Sequence, residues 1–104
     1  MSDRYYTLGM WRPKPDREAD FIAAWRELGE VFLALPAPPG PGVLLRSESD
    51  PGLFYSFGPW SGLEDIDAMR ADPRAREALR RLMDLCLEAS PGTYRVVAEV
   101  PDST

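Results

Sequence analysis

The residues of this 104-residue sequence best suited to chemistry are large aromatic side chains and arginines. The candidates are Trp11, Trp25, Trp60, Tyr6, Tyr55, Tyr94, Arg12, Arg46 and Arg95. Aromatic rings can line a pocket for a small molecule, and a guanidinium can stabilise an anion that forms there. The alternative, common in small domains, is that the aromatic residues form the core and the arginines pair with carboxylates at the surface.

Trp60 has the most distinctive setting of the three tryptophans. It lies in the run Phe57-Gly58-Pro59-Trp60-Ser61, where a predicted strand ends and a predicted helix is about to begin. Pockets between a sheet and its helices open at such places, so Trp60 is a candidate pocket wall. Trp25 lies on a predicted helical stripe, which favours a packing role. The candidate pocket residues are Trp11, Trp25, Trp60, Tyr6 and Tyr55.

Arg46 and Arg95 lie in predicted strands between apolar neighbours. A strand arginine usually lies at a rim or pairs with a carboxylate, and the nearby carboxylates are Glu48 and Glu99. The other interpretation is that one of these arginines stabilises an anion in a pocket.

Several residue types needed for common enzyme chemistry are missing. The sequence has no His, Asn or Gln, so it has no histidine general base, no imidazole metal ligand and no Ser-His-Asp triad. Its one cysteine, Cys86, cannot form an internal disulfide and is expected to be a buried apolar residue. Lys14 is the only lysine, and no P-loop motif is present. We therefore expect neither a metal nor a cofactor.

The net charge and the N-terminal residues argue against further classes of partner and of protein. With 12 basic and 17 acidic side chains the formal net charge is −5, which disfavours nucleic acid and anionic membrane surfaces as partners. No apolar run is long enough to span a bilayer, and the first residues show no signal-peptide pattern. The sequence thus predicts a cytoplasmic protein.

The first half of the chain reads as strand, helix, loop and strand. The aromatic run 5–11 predicts a strand, and Asp16 is the expected cap of the following helix. That helix carries one apolar stripe, formed by Phe21, Trp25, Leu28, Phe32 and Leu35. The proline-rich stretch 36–42 cannot continue it, and the apolar run 43–46 predicts a second strand.

The second half predicts a hairpin, a divided helix and a last strand. Residues 49–52 suit a turn, residues 53–57 a third strand, and Ser61 with Glu64 a capping box. Asp72-Pro73 restarts the helix, whose apolar face includes Leu79, Leu82, Met83 and Cys86. Residues 90–92 are expected to end it. The final strand is predicted at 93–100, followed by a frayed tail at 101–104.

The order β-α-β-β-α-β predicts an α+β, ferredoxin-like domain over residues 1–104, with its core in 5–100. Right-handed crossovers place both helices on one face of a four-stranded antiparallel sheet. Strands one and three are apolar on both sides, with Tyr55 and Phe57 opposing Phe54 and Trp60 on the third. A bare apolar sheet face is best covered by a second copy, so we predict a homodimer through the sheet face.

Most of the chain, about residues 5–100, resembles the antibiotic biosynthesis monooxygenase family. The matching stretches are Lys14-Pro15 before a helix with Phe21-Ile22-Ala23-Ala24-Trp25, the run Asp50-Pro51-Gly52-Leu53-Phe54-Tyr55-Ser56-Phe57-Gly58-Pro59-Trp60-Ser61, and Met69-Arg70-Ala71-Asp72-Pro73. This resemblance implies a dimeric α+β barrel. It also implies a cofactor-independent oxygenase of aromatic substrates, in which the substrate's own anion reduces oxygen inside a dry pocket.

The family's pocket uses an Asn, a Trp, a Tyr and an Arg. The resemblance assigns a matching residue in this sequence to only some of these roles. Trp60 matches the Trp, no Asn is available, and Tyr55 and Arg46 are candidates for roles that have no unique place here. The haem-degrading branch needs a histidine near Leu79, which is missing. Two hypotheses remain: a cofactor-free monooxygenase acting on a phenol- or quinol-like molecule, and a non-catalytic dimeric module that binds a small ligand or is structural.

Overall fold

The computed structural model describes residues 4–101, which form four strands and three helices. The elements are β1 (Tyr5–Pro13), α1 (Glu18–Leu33), β2 (Val43–Arg46), β3 (Phe54–Trp60), α2 (Leu63–Ala71), α3 (Pro73–Asp84) and β4 (Cys86–Arg95). This order confirms the predicted α+β ferredoxin-like fold, with the second helix divided in two. Within the described range no helix is long and apolar enough to cross a membrane.

The four strands form one antiparallel sheet in the order β2-β3-β1-β4. Its two faces differ sharply along β3, where Phe54 and Trp60 are buried while Tyr55 and Phe57 are exposed. The helices cover the first face and leave the second uncovered. The predicted division of side chains between the two faces is therefore confirmed.

The core lies between the helices and the sheet, in two clusters. The first contains Trp11, Phe21, Leu28, Phe54, Ala78 and Leu82. The second contains Leu35, Trp60, Ile66, Met69 and Ala75. The predicted stripe of α1 contributes to both, because Phe21 and Leu28 belong to the first cluster and Leu35, just beyond the helix, belongs to the second.

The last strand lies earlier than predicted. The third helix ends at Asp84, and β4 begins at Cys86 and pairs along the whole of β1. Pro91, expected to help end the helix, lies within this strand. An edge strand tolerates proline, because the missing N–H can face the side that has no neighbour. Residues 96–100 are not a strand, and the predicted tail lies outside the described residues beyond Pro101.

The third strand also extends further than predicted, from Phe54 to Trp60 instead of ending at Phe57. Pairing with β2 stops at Val43 opposite Phe57, so Pro59 has a strand neighbour on the β1 side only. A proline fits there because no neighbouring strand requires its N–H. Trp60 is consequently a strand residue with a fixed position over the sheet.

Two predicted helix caps are wrong. A 3-10 turn over Pro15–Arg17 contains Asp16, so α1 starts after it with no side-chain cap. The predicted capping box of Ser61 and Glu64 does not form, because Gly62 occupies the N-cap of α2 and no side chain caps it.

The cap of α3 follows the prediction. The Asp72 carboxylate accepts hydrogen bonds from the backbone N–H groups of Arg74 and Ala75, at 2.8 and 3.2 Å. Pro73 stands at the first helical position, where its missing N–H is not needed.

Candidate functional site

The middle of the sheet carries only small side chains on the face that the helices cover. In β1 and β3 these are Thr7, Gly9, Ser56 and Gly58, which we call the floor. Thr7 lies opposite Gly58, and Gly9 lies opposite Ser56. Because larger residues occupy the same face at both ends, the floor separates the two core clusters.

Two tryptophans frame the floor, and each donates a hydrogen bond to a hydroxyl on the neighbouring strand. Trp11 Nε1 donates to Ser56 Oγ at 2.9 Å, and Trp60 Nε1 donates to Thr7 Oγ1 at 3.0 Å. An indole N–H is only a donor and needs an acceptor when it is buried. Both tryptophans are buried, at 3% and 4% exposure, so these bonds fix both rings.

The same five-residue pattern produces both bonds. Thr7-Leu8-Gly9-Met10-Trp11 and Ser56-Phe57-Gly58-Pro59-Trp60 share a hydroxyl residue, a glycine and a tryptophan at alternate positions. Antiparallel pairing sets the hydroxyl of each strand opposite the glycine of the other. The two units are therefore related by an approximate two-fold axis between β1 and β3, which explains why each indole reaches the other strand.

The two hydroxyls keep a hydrogen to donate. Each oxygen already accepts a bond from an indole, and within residues 4–101 neither hydroxyl donates to an acceptor. A hydroxyl that accepts one hydrogen bond becomes a better donor in the next. Each hydroxyl can therefore donate to a carbonyl, phenolate or enolate oxygen that reaches it.

The proline-rich segment 36–42 closes one side of the floor. A β carbon on Gly58 would lie 3.3 Å from the Cα of Gly42, and the Gly40 N–H donates to the carbonyl of Pro59 at 2.9 Å. Trp25 stands beside the same segment, since a β carbon on Gly42 would lie 3.9 Å from its ring. Gly58 is thus required by close contact between two backbones.

Comparison with known proteins bears on the fold. No family model and no curated protein matches the sequence. Among solved structures, SnoaB, a cofactor-independent oxygenase from Streptomyces nogalater, superposes with a TM-score of 0.85 at 15% identity over 97% of this chain and 100% of that chain. The chain has the fold of the antibiotic biosynthesis monooxygenases.

Two further structures share this monooxygenase fold. One is described as an antibiotic biosynthesis monooxygenase and gives a TM-score of 0.73 at 18% identity, covering 93% of this chain and 99% of that chain. Another, from Nitrosomonas europaea and provisionally named an antibiotic biosynthesis monooxygenase, gives 0.77 at 19% identity with 93% of each chain covered.

On this monooxygenase fold, the predicted pocket residues separate into two groups. Trp11 and Trp60 lie at the floor, and half-buried Trp25 packs against the first core cluster. Tyr6 and Tyr55 lie on the uncovered face, where the Tyr6 ring is 6.2 Å from that of Phe57. The structure therefore brings the three tryptophans to the same side and leaves the two tyrosines on the other side of the sheet.

Arg46 lies on the helix side, at the edge of the sheet, where its guanidinium is already engaged by other side chains. It donates to the Glu18 carboxylate at 2.8 Å, and its guanidinium stands 4.7 Å from the centroid of the Phe54 ring. Its partner is thus Glu18 on α1 and not the predicted Glu48. Arg46 and Tyr55 do not converge with Trp60.

Tyr94, Arg95 and Arg12 also have defined places. Tyr94 is exposed on the uncovered face, opposite Tyr6, and exposed Arg95 lies opposite Tyr5 on the helix side. Arg12 is paired with Asp50 at 2.8 Å. The predicted partner of Arg95, Glu99, instead pairs with Arg4.

Metal-ligating and nucleophilic groups do not gather at the floor. Residues 4–101 contain no group of three or more His, Cys, Asp or Glu side chains that could hold a metal ion. Cys86 is half-buried beside Leu82, and burial raises the pKa of its thiol to about 11. The thiol is therefore neutral near pH 7.

Thr7 and Ser56 are the site residues that sequence reasoning missed. A lone serine or threonine carries no signal by itself. The repeated spacing of hydroxyl, glycine and tryptophan in two strands is a signal, because alternate residues of a strand share one face.

Proposed function

We propose that the protein is a cofactor-independent monooxygenase of the antibiotic biosynthesis monooxygenase family, acting on a small phenol- or quinol-like aromatic molecule. The observation that supports this most is the pair of indole-held hydroxyls in an otherwise apolar interior. Thr7 and Ser56 would donate hydrogen bonds to an oxyanion, and the aromatic walls would hold the ring of the substrate. The full-length similarity to an oxygenase fold agrees with this assignment.

Such a reaction needs little from the protein beyond binding and anion stabilisation. An anthrone ionises to a phenolate-type anion, which reduces oxygen directly. The oxidised carbon loses two hydrogens and gains one oxygen atom, and the second oxygen atom leaves as water, so the substrate supplies all four electrons. Hydrogen bonds to the anion in a site that excludes water lower the cost of forming it.

Trp60 and Thr7 form the half of the site closest to solvent. Thr7 is half-buried although β1 is a central strand, whereas Ser56 is 8% exposed. A substrate therefore meets the Thr7 hydroxyl first. Trp60 acts through Thr7 by holding its oxygen, while Tyr55 and Arg46 have no part in the proposed site.

Oxygen uptake by metal-free, flavin-free protein with anthrones and hydroquinones tests the proposal. We expect uptake above the spontaneous rate. Thr7→Val keeps the shape of the side chain but removes the donor, and losing one oxyanion donor lowers rates by about a hundredfold or more. Trp60→Phe is expected to lower the rate in the same direction, because Thr7 is then no longer held.

Tyr55→Phe distinguishes this site from one on the uncovered face. It removes one hydroxyl from the other side of the sheet and is expected to leave the uptake rate unchanged. Uptake that depends on Tyr55 and ignores Thr7 would contradict the proposed site. Uptake no faster than the spontaneous rate across the panel would contradict the oxygenase assignment.

We also propose that the protein is a homodimer in which two uncovered faces meet. This open face consists of Tyr6, Leu8, Met10, Val43, Leu45, Tyr55, Phe57 and Tyr94. Leu45 is 51% and Tyr94 54% exposed, which is unusual for a contiguous apolar group on a monomer. A second copy offers a matching surface through two-fold symmetry.

The second candidate function is a non-catalytic dimeric module of the same fold. The tight packing around Trp60 favours it, since Phe32 meets its ring edge-on at 5.4 Å and both indole donors are already satisfied. In that case Thr7→Val would lower stability without any turnover to lose. Measuring the unfolding midpoint beside oxygen uptake separates the two functions.

A further inference from the structure

Arg70 brings a positive charge to the edge of the floor. It lies in the last turn of α2 and donates a hydrogen bond from its guanidinium to Thr93 Oγ1 on β4. Thr93 lies directly opposite Thr7 in the β1–β4 pair, and such pairs have β carbons about 5 Å apart. The guanidinium therefore stands close to the hydrogen bond between Trp60 and Thr7.

Three hydrogen-bond donors meet there without an acceptor from the described part of the chain. Thr7 accepts from Trp60, and Thr93 accepts from Arg70, so each hydroxyl retains its own hydrogen to donate. The Arg70 guanidinium keeps further N–H groups, and no carboxylate of residues 4–101 lies within 4.0 Å of it. By contrast, ion pairs engage Arg4, Arg12, Arg17, Arg46, Arg80 and Arg81.

Solvent reaches this corner. Tyr5, Thr7 and Thr93 are all half-buried, although all three lie on the face that the helices cover. The opening lies between α2 and β4, at the end of the sheet where Trp60 is found.

We propose that the ligand of this site is an aromatic carboxylate whose acidic group binds Arg70 and Thr93, which leaves the Thr7 hydroxyl free to donate to the oxyanion. This inference rests on the proposed function for the aromatic part of the ligand, and it adds the charged group. Carboxylate oxygens only accept hydrogen bonds, so they match the Thr93 hydroxyl and the remaining N–H groups of Arg70, and a guanidinium binds them in a planar, two-point geometry. The carboxylate at the opening would hold the ring beside Thr7, at the end of the floor near Trp60.

Calorimetric titration with 2-naphthoate and 2-naphthamide tests this without requiring turnover. The two probes share a ring system and differ in charge. We expect the full-length protein to bind 2-naphthoate about tenfold or more tightly than 2-naphthamide, as hydrogen bonds to a charged group allow. Arg70→Met should remove that preference and leave the affinity for 2-naphthamide unchanged. Thr93→Val should reduce the preference for 2-naphthoate only in part.

Arg76→Met is the matched control, since Arg76 is an exposed arginine on α3 and not part of the opening. It should leave both affinities unchanged. Equal affinity for the two probes, or an equal loss of preference in Arg70→Met and Arg76→Met, would overturn the assignment of Arg70 while leaving the oxygenase proposal intact. Binding of neither probe would overturn the assignment of Arg70, while oxygen uptake decides the oxygenase proposal separately. A preference for 2-naphthoate that depends on Arg70, without oxygen uptake on any substrate, would reject the oxygenase alone.

Discussion

Gly9 is the residue on which the position of the Trp11 indole depends. A β carbon built there would overlap the ring atoms of Trp11, because the indole lies flat over the glycine on its way to Ser56. The side chain would have to leave its place, and the buried hydroxyl would lose its donor. The glycine is thus required by packing, since the structure contains no positive φ at any described glycine.

Gly9→Ala is therefore expected to lower the free energy of unfolding by about 1–3 kcal/mol, the usual cost of overpacking. Gly29→Ala is the matched control. Gly29 lies inside α1 with nothing within 4 Å of an added β carbon, so alanine should stabilise the helix by about 0.5–1 kcal/mol. Urea unfolding of both variants measures the two changes. A neutral or stabilising Gly9→Ala would contradict the placement of the Trp11 ring.

At the scale of elements, Arg12 joins the end of the central strand β1 to the β2–β3 turn. Its guanidinium meets the two Asp50 carboxylate oxygens at 2.8 and 3.3 Å, and it lies 3.9 Å from Glu88 on β4. The turn is held further by the Asp50 N–H, which donates to Ser47 Oγ at 3.1 Å. The hydrogen bond and charge of Arg12 hold the pKa of Asp50 below its ordinary value of 3.8.

This lowered pKa predicts an acid-sensitive contribution to stability. Because the folded protein favours ionised Asp50, the contribution is fully present above about pH 5 and disappears as the pH falls through the lowered pKa. The difference in unfolding free energy between the wild type and Asp50→Asn should be constant near neutral pH and shrink as the pH falls below the ordinary pKa of 3.8. Salt should reduce it, because the pair is exposed to solvent.

Asp16→Asn is the control for this pH dependence, since Asp16 is exposed in the turn before α1 and forms no ion pair within residues 4–101. Urea unfolding from pH 7 to pH 2.5 gives both differences. A difference for Asp50→Asn that does not change with pH would show that the pair contributes through geometry alone.

At the scale of the whole molecule, the helices leave half of the sheet's apolar surface uncovered. The open face has tyrosines, leucines and a phenylalanine where a monomer normally has polar side chains. The same strands build the floor on their other side, so covering the open face also stabilises the site. Dimerisation would then use one face of the sheet and the proposed activity would use the other.

Phe57→Lys is expected to convert the dimer into a monomer at micromolar concentration, because a charge would be buried without a partner at the interface. Leu63→Lys is the matched control. Leu63 is 44% exposed on α2 and Phe57 is 38% exposed, but only Phe57 belongs to the open face. Light scattering after size exclusion measures both masses. A wild-type monomer, or a dimer unaffected by Phe57→Lys, would reject this interface.

Local sequence patterns determined much of the fold. The stripe of α1, the restart of the helix at Asp72 and the two apolar sides of β3 were all predicted, because each depends on residues a few positions apart. The predicted caps at Asp16 and Ser61 failed, because a 3-10 turn contains Asp16 and an extended Gly62 takes the N-cap position after Ser61. The boundaries of β4 failed for a different reason: Pro91 looks like a breaker in sequence, and only its place at a sheet edge makes it acceptable.

The candidate site was predicted only in part. Trp60 was recognised from its position, whereas its partner Thr7 is 53 residues away in the chain. The sequence by itself determined which residues alternate along each strand, and therefore which could share a face. Only the tertiary structure decided that Thr7 lies opposite Gly58, that Arg70 reaches Thr93 and that the helices cover the face of Trp60 and not that of Tyr55. Those contacts depend on strand register and helix placement, which are set by packing over the whole molecule and not by neighbouring residues.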